Sequence, residues 1–315
     1  MKQTNLDTVQ TPIKKRTITK EYIKYKFLFL MLLPGILYFV VFHYGTMAGL
    51  LMAFEDFNPL KGFFKSPWVG LKNFERVFSG LFFFQVFRNT LIISFLKLIF
   101  GFPAPIILCL LLNEVRNVAF KRSIQSISYL PHFLSWVILA GMVIEILSPS
   151  RGPINSIIKA LGFEPVFFVA EKKWFRFVLV SSSIWKNVGW GSIIYLAAVS
   201  GVNPELYDVA DLDGAGRFRK IWNVTLPSIA PVVIIMFIFA TGRLINDDFY
   251  QILNLLNTKV MSVGDVISTY TYRVGIQRMN YSYATAVGLF KNIISFSLVI
   301  TTNYIAKKVS GSSIW

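Results

Sequence analysis

The chain has 315 residues, 54% of them hydrophobic and only 15% charged, against about 25% charged in an ordinary soluble domain. That much apolar surface finds no single aqueous core, which excludes a soluble globular protein and leaves an integral membrane one. The net charge of +16 has no DNA- or RNA-binding motif beside it, so it is read as basic segments held at the cytoplasmic leaflet; membrane lipid is an expected partner and nucleic acid is not.

Residues 1–26 form a basic tail with Lys2, Lys14, Lys15, Arg16, Lys20, Lys24 and Lys26. Positive charge just before a span marks the cytoplasmic side. Six stretches then reach the length of a spanning helix, about 20 mostly apolar residues. The first runs from Phe27 to about Gly45, with apolar sequence continuing to Phe54. Its "LFLMLLPGILYFVVFHYG" is too long for a signal peptide and no small-residue cleavage site follows. Pro34 within it is tolerable where neighbouring helices satisfy the freed backbone. The second covers about Asn89–Leu112, the third about Ile124–Leu147 and the fourth about Phe177–Ser200. The fifth covers Ser228 to about Leu244 and the sixth about Tyr283–Ala306. An even number of spans returns the chain to the cytoplasm, where Lys307 and Lys308 open a short tail, residues 307–315. Residues 27–306 are therefore expected to form an all-α, six-helix membrane domain with both termini cytoplasmic, and the loops Asn113–Ser123 and Asn203–Pro227 on that same side.

The residues that carry chemistry are few. Cys109 is the single cysteine and lies in an apolar run, so there is no disulfide framework. His43 and His132 are far apart and lack metal-ligand spacing, so no metal site is expected. No catalytic carboxylate, histidine or metal cluster converges at a membrane face, which argues against a membrane transferase.

The loop between the fourth and fifth spans is unusual. In "NPELYDVADLDGAGRFRKIWNVTLP", Asn203 suits a helix N-cap, Pro204 the first helical position and Glu205 the positive helix end. Leu206, Val209 and Ala210 make one apolar face at helical spacing, while Asp208, Asp211 and Asp213 mark another. Gly214 can stop this helix in a left-handed cap. A second short helix with Phe218, Ile221 and Trp222 follows, and Leu226-Pro227 starts the next span. A plain connector needs no amphipathic faces, whereas a loop that docks into another protein does. A pair of helices lying on lipid fits less well, since anionic lipid repels the three aspartates.

This stretch resembles the cytoplasmic signature of ATP-binding-cassette importer permeases: Glu-Ala-Ala, three residues, Gly, nine residues, Ile, one residue, Leu-Pro. The matching positions are Asp208, Val209, Ala210, Gly214, Val224, Leu226 and Pro227, with Asp for Glu, Val for Ala and Val for Ile. Asp213-Gly214-Ala215 is the form typical of sugar permeases. The segments "SPWVGLKNFERVFS", "GFPAPIILCLLLNEVRN" and "SISYLPHFLSW" extend the likeness to carbohydrate importers of the oligosaccharide, alginate-transporter and LplB type. These are similar to the first maltose-transporter membrane subunit without its large external insertion.

The resemblance implies a type I importer permease that is not itself an enzyme. It implies a second homologous permease subunit as a heterodimer partner, and an extracytoplasmic solute-binding lipoprotein that delivers a sugar substrate. ATP and Mg would sit on two copies of a cytoplasmic ATP-binding subunit, because this chain has no phosphate-binding Gly-Lys-Ser/Thr loop. The loop 203–227, with Asp208, Ala210, Asp211, Asp213, Gly214, Ala215, Leu226 and Pro227, would seat in a groove of that subunit.

The substrate path is read from ionisable and aromatic residues within spans. Lys97, Lys186 and Lys291 lie in the second, fourth and sixth spans, and Lys186 is expected to point into the pathway toward an acidic sugar. Snorkelling or a structural partner is the alternative for each. Trp190 and Tyr195 follow Lys186 on the fourth span and could stack on sugar rings or simply pack. Asn246, Asp248 and Gln251 form a polar cluster after the fifth span that could bind hydroxyls or solvate a loop. A permease for a peptide, polyamine or anion stays open as an alternative.

Overall fold

The computed structural model describes residues 25–245 and 248–310. Nearly all of the basic tail, the end of the C-terminal tail, and Asn246 with its neighbour Asp247 lie outside the described residues. The chain divides into two units, Met1–Leu51 and Met52–Trp315.

In the first unit, α1 (Lys26–Phe39) passes into a π turn, Val40–Tyr44, and then into a 3-10 helix, Gly45–Phe54, that crosses the unit boundary. No residue of α1 is buried, and it is apolar on all sides. A helix of that kind is solvated by hydrocarbon or by partner helices rather than by water. Pro34 sits inside it, as the sequence required.

The second unit is helical; its single described β contact is an isolated bridge between Glu55 and Trp68. After the short α2 (Lys72–Ser79), α3 (Leu81–Leu96) leads through a π turn, Lys97–Gly101, into α4 (Pro103–Glu114). The turn has a local cause. Pro103 has no N–H for the carbonyl of Ile99, so the helix hydrogen-bond register slips where the partner is missing. The same happens farther on, where the π turn Ile221–Thr225 precedes Pro227.

The third predicted span is not one straight helix. It divides into α5 (Val118–Phe133) and α6 (Trp136–Ile146), bent by 111° at Leu134-Ser135. Pro131 weakens the end of α5, and Ser135 caps α6 by accepting from the Ile138 N–H at 3.4 Å. After α7 (Pro153–Ala160), the fourth span is α8 (Lys172–Ser200), 29 residues or about 43 Å long.

α8 runs along α4 and α5. Its Gly189 meets the α5 backbone so closely that a Cβ would lie 2.1 Å from the Ser128 oxygen. Only a small residue permits that approach. Among the described residues four helices are long and apolar enough to span, or five counting the bent pair as one. α8 falls short on apolarity, yet its polar groups are satisfied within the protein. Ser181 and Ser182 donate to the carbonyls of Phe177 and Val178, and Arg176 donates to Asn89 Oδ1 and the Val263 carbonyl.

The fifth span and the loop before it comprise α9 (Glu205–Leu212), α10 (Arg217–Lys220) and α11 (Leu226–Gly242). The expected second short helix is not separate: helix runs from Arg217 to Gly242 through the π turn. Three short helices follow, α12 (Phe249–Leu255), α13 (Met261–Gly264) and α14 (Ile267–Tyr272), and then the sixth span, α15 (Tyr281–Ser310), which packs along α11. One buried cluster joins α8 to α12 through Phe175, Leu179, Ile252 and Leu255; another, nearer the 203–227 loop, holds Cys109, Tyr195, Val199 and Ile229.

Candidate functional site

The loop 203–227 is built as its sequence dictates at the first helix. The Asn203 side-chain oxygen accepts from the Glu205 N–H at 3.1 Å. Gly214 has φ +69°, in the left-handed region open to glycine. The Ala215 N–H donates to the Ala210 carbonyl at 2.9 Å and the Gly214 N–H to the Asp211 carbonyl at 3.0 Å. Those two bonds are the paired closure of a Schellman cap, which satisfies the end carbonyls of α9.

Internal ties then fix α9 against the start of span five. The Tyr207 and Thr225 hydroxyls share a hydrogen bond of 3.0 Å, Lys220 is paired with Asp211, and Arg217 lies 3.9 Å from Glu114 at the end of α4. Leu226 packs into the cluster of Cys109 and Ile229. A cleft of about 490 Å³ separates α9 from α11, with Ala210, Asp213, Ala215 and Pro227 in its walls. Asp208 is exposed on α9. Three large apolar side chains of this region are left mostly uncovered: Leu212 is 88% exposed, Phe218 89% and Trp222 73%.

The second concentration of chemistry lies near the other end of α8. Lys97, at the start of the π turn after α3, sets its ammonium 3.0 Å from Asp248 Oδ2 and 2.5 Å from Gln251 Oε1. Ser183 donates to the same aspartate oxygen at 3.4 Å. Gln251 is wholly buried, and its amide donates to the Leu179 carbonyl at 2.7 Å and to Ser182 Oγ at 2.8 Å. Gln251 thus links α12, α8 and Lys97 from a wholly buried position. Beside this network a cavity of about 320 Å³ opens between α3, α8 and α11, lined by Lys97, Phe102, Ser183, Asn187, Arg243 and Asp248. A neighbouring cavity of about 430 Å³ shares Gly101, Phe102, Pro105, Ala240 and Arg243 with it.

Lys186 has a different occupation from the cavity-facing one expected. Its ammonium donates to the carbonyls of His132, at 3.0 Å, and of Pro131 and Leu134, and lies 5.4 Å from the Trp136 ring. These carbonyls lie at the break between α5 and α6, where that of Pro131 also accepts from the Leu134 N–H at 3.3 Å, and a cation at the negative end of a helix is well placed there. Trp190, one turn on, lies flat against His132, with ring centroids 4.7 Å apart. Tyr195 is 3% exposed and packed in the inner cluster, with an edge toward the larger cavity. Asn246 lies outside the described residues.

Residues 101–311 match the family model of the binding-protein-dependent transport system inner membrane component. The chain belongs to that family. This permease is similar to Protein LplB of Bacillus subtilis, 46% identical over 283 residues that cover 90% of this chain and 89% of the relative. It is also similar to the polygalacturonan/rhamnogalacturonan transport system permease protein YteP of the same organism, 41% identical over 302 residues covering 96% and 94%. Among solved structures it matches, with TM-score 0.86 and 39% identity, a bacterial ABC transporter involved in the import of the acidic polysaccharide alginate, over 93% of this chain and 99% of that one. The permease is therefore a multi-pass cell-membrane protein with the all-α fold of a type I ABC importer subunit. It is a transport subunit of a solute-binding-protein-dependent system.

Sequence reasoning missed two features of the permease. The Lys97–Asp248 pair joins residues 151 apart in sequence, which no local pattern reports. Arg243 carried a signal, an isolated charge at the close of "IIMFIFATG", but it was absorbed into the end of a span.

Proposed function

We propose that the permease carries an oligosaccharide into a bacterial cell, driven by ATP hydrolysis on a separate subunit that seats the loop 203–227. The observation that carries this reading is the loop itself: an α9 closed at Gly214, tied to span five, with Leu212, Phe218 and Trp222 facing out uncovered. Exposed aromatic side chains on a rigid helical frame are what a protein groove takes up. The partners are two copies of a cytoplasmic ATP-binding subunit holding ATP and Mg, a second homologous permease subunit that completes the pathway, and an extracytoplasmic solute-binding lipoprotein. Both termini and the loop then lie in the cytoplasm, with residues 248–280 on the far side.

ATP binding drives such a cycle only if it favours one of two discrete arrangements of the helices. A sugar is favoured as cargo by the saccharide polymers in the names of the YteP relative and the alginate transporter.

The test is Gly214→Trp in the assembled importer. Nothing lies within 4 Å of a Cβ at Gly214, so the indole's bulk meets the partner, but its φ of +69° strains any side chain; Gly214→Ala, which carries the strain without the bulk, is the control and is expected to keep most of the uptake. ATP-driven uptake is expected to fall to background while the two permease subunits still copurify. Normal uptake with substrate-stimulated ATPase activity would remove the docking assignment. Reporter fusions at either terminus test the topology, and an external signal from one of them sinks it.

A further inference from the structure

The cations that the sequence offers to an acidic cargo differ in what they are already bound to. Lys97 is held by Asp248 and Gln251 and is 16% exposed at its side chain. Lys186 is spent on the carbonyls at the α5–α6 break. Arg176 is engaged by Asn89 and the Val263 carbonyl. Arg243 is different. It caps the end of α11 and lines both membrane cavities. Among the described residues its guanidinium makes no ion pair, and the aspartate that shares its cavity, Asp248, is already taken by Lys97.

Arg243 is exposed just past the end of the fifth span, and a charge at a span end is held there by water, a partner or a ligand. The surroundings narrow the ligand. Phe102, in edge contact with Phe237 at 5.2 Å between ring centroids, gives the shared wall an apolar face. Asn187 donates to the Ser183 carbonyl at 3.0 Å, which leaves its side-chain oxygen to the cavity as an acceptor for a hydroxyl. Apolar wall, hydroxyl acceptor and a guanidinium with no ion pair among the described residues fit a sugar ring that bears a carboxylate, bound through the guanidinium fork.

We propose that Arg243 is the counter-charge for a uronate unit of the transported saccharide, and that the Lys97–Asp248 pair silences the nearest competing cation. This rests on the reading of the chain as an oligosaccharide permease. Its consequence is selectivity: the site favours a free carboxylate over the same sugar with that group capped.

The experiment uses the complete importer, with its ATPase, second permease subunit and binding protein, in proteoliposomes. The probes are labelled galacturonate and mannuronate trisaccharides, their methyl esters, and neutral arabinose and maltose oligosaccharides. The readout is the ratio of acid to ester uptake, measured for the native chain, R243Q and R243K. Preferences of the binding protein and losses of folded complex cancel when this ratio is compared between chains. The native ratio is expected to fall about tenfold in R243Q, the worth of one charge-assisted hydrogen bond pair, and to recover in part in R243K. A ratio unchanged in R243Q overturns the proposal, as does a native importer that carries only neutral sugars, which leaves the permease reading intact. Uptake of no saccharide of either kind sinks the oligosaccharide reading and this proposal with it.

Discussion

The two ends of α8 are finished differently. Near its start, polar groups are satisfied within the chain: Gln251 is wholly buried and uses both its donor and its acceptor, and Lys97 and Asp248 pair with each other. Beyond its end, in the loop 203–227, the ends of α9 are capped but Leu212, Phe218 and Trp222 are left mostly uncovered. On the proposed function, the first region contributes to the fold of the chain and the second to docking with the ATPase subunit. Substitutions should separate the two, by lost stability in one case and lost assembly in the other.

The largest effect on stability is expected at the finished end. Gln251→Leu strips partners from Lys97, from the Leu179 carbonyl and from Ser182 at once. Each buried group left unmade costs about 1–3 kcal/mol, and with partial relaxation a total loss of about 2–4 kcal/mol is expected. The midpoint of thermal unfolding of the detergent-purified permease pair measures it, and an unmoved midpoint would break the contrast.

A smaller loss, about 1–2 kcal/mol, is expected for Lys186→Met, which uncovers the carbonyls at the α5–α6 break. Lys186→Arg should restore most of it. Undiminished stability combined with loss of charged-sugar uptake would instead return Lys186 to the cargo path.

The smallest effect on stability, within about 0.5 kcal/mol, is expected for Phe218→Asp, because the ring is 89% exposed and supports nothing in this chain. Its expected outcome is a permease that unfolds normally and no longer retains the ATPase subunit through gel filtration. A destabilised permease, or one that keeps the ATPase, would erase the distinction between the ends.

How far the sequence carried this picture varied with the range of the interaction. Long apolar runs located the spans because the bilayer imposes a length on each. The α9 cap was readable down to its residues, Asn203 and Gly214, because capping is a contact over a few positions. The bend at Leu134-Ser135 left traces in Pro131 and in the Ser135 cap, yet an apolar run on both sides masked it. The merging of α10 with α11 was hidden by Pro227, which reads as a helix start but here follows a π turn. Lys97 and Asp248 were each visible as charges, and only the packing of α3 beside α12 and α8 made them a pair. Lys186 was visible as a charge within a span, and a charge in a span does not by itself tell a cargo ligand from a clamp on backbone carbonyls.

The continuity from Arg217 to Gly242 has a mechanical meaning. Those 26 residues make a rod of about 39 Å at 1.5 Å per residue. Phe218 stands at one end and Arg243 just past the other. On the proposed docking the chain holds a crank whose handle lies in the loop 203–227 and whose far tip carries Arg243: pivoted at the loop, a tilt of about 10° sweeps that tip through about 7 Å. The π turn at Ile221–Thr225 sits between handle and shaft.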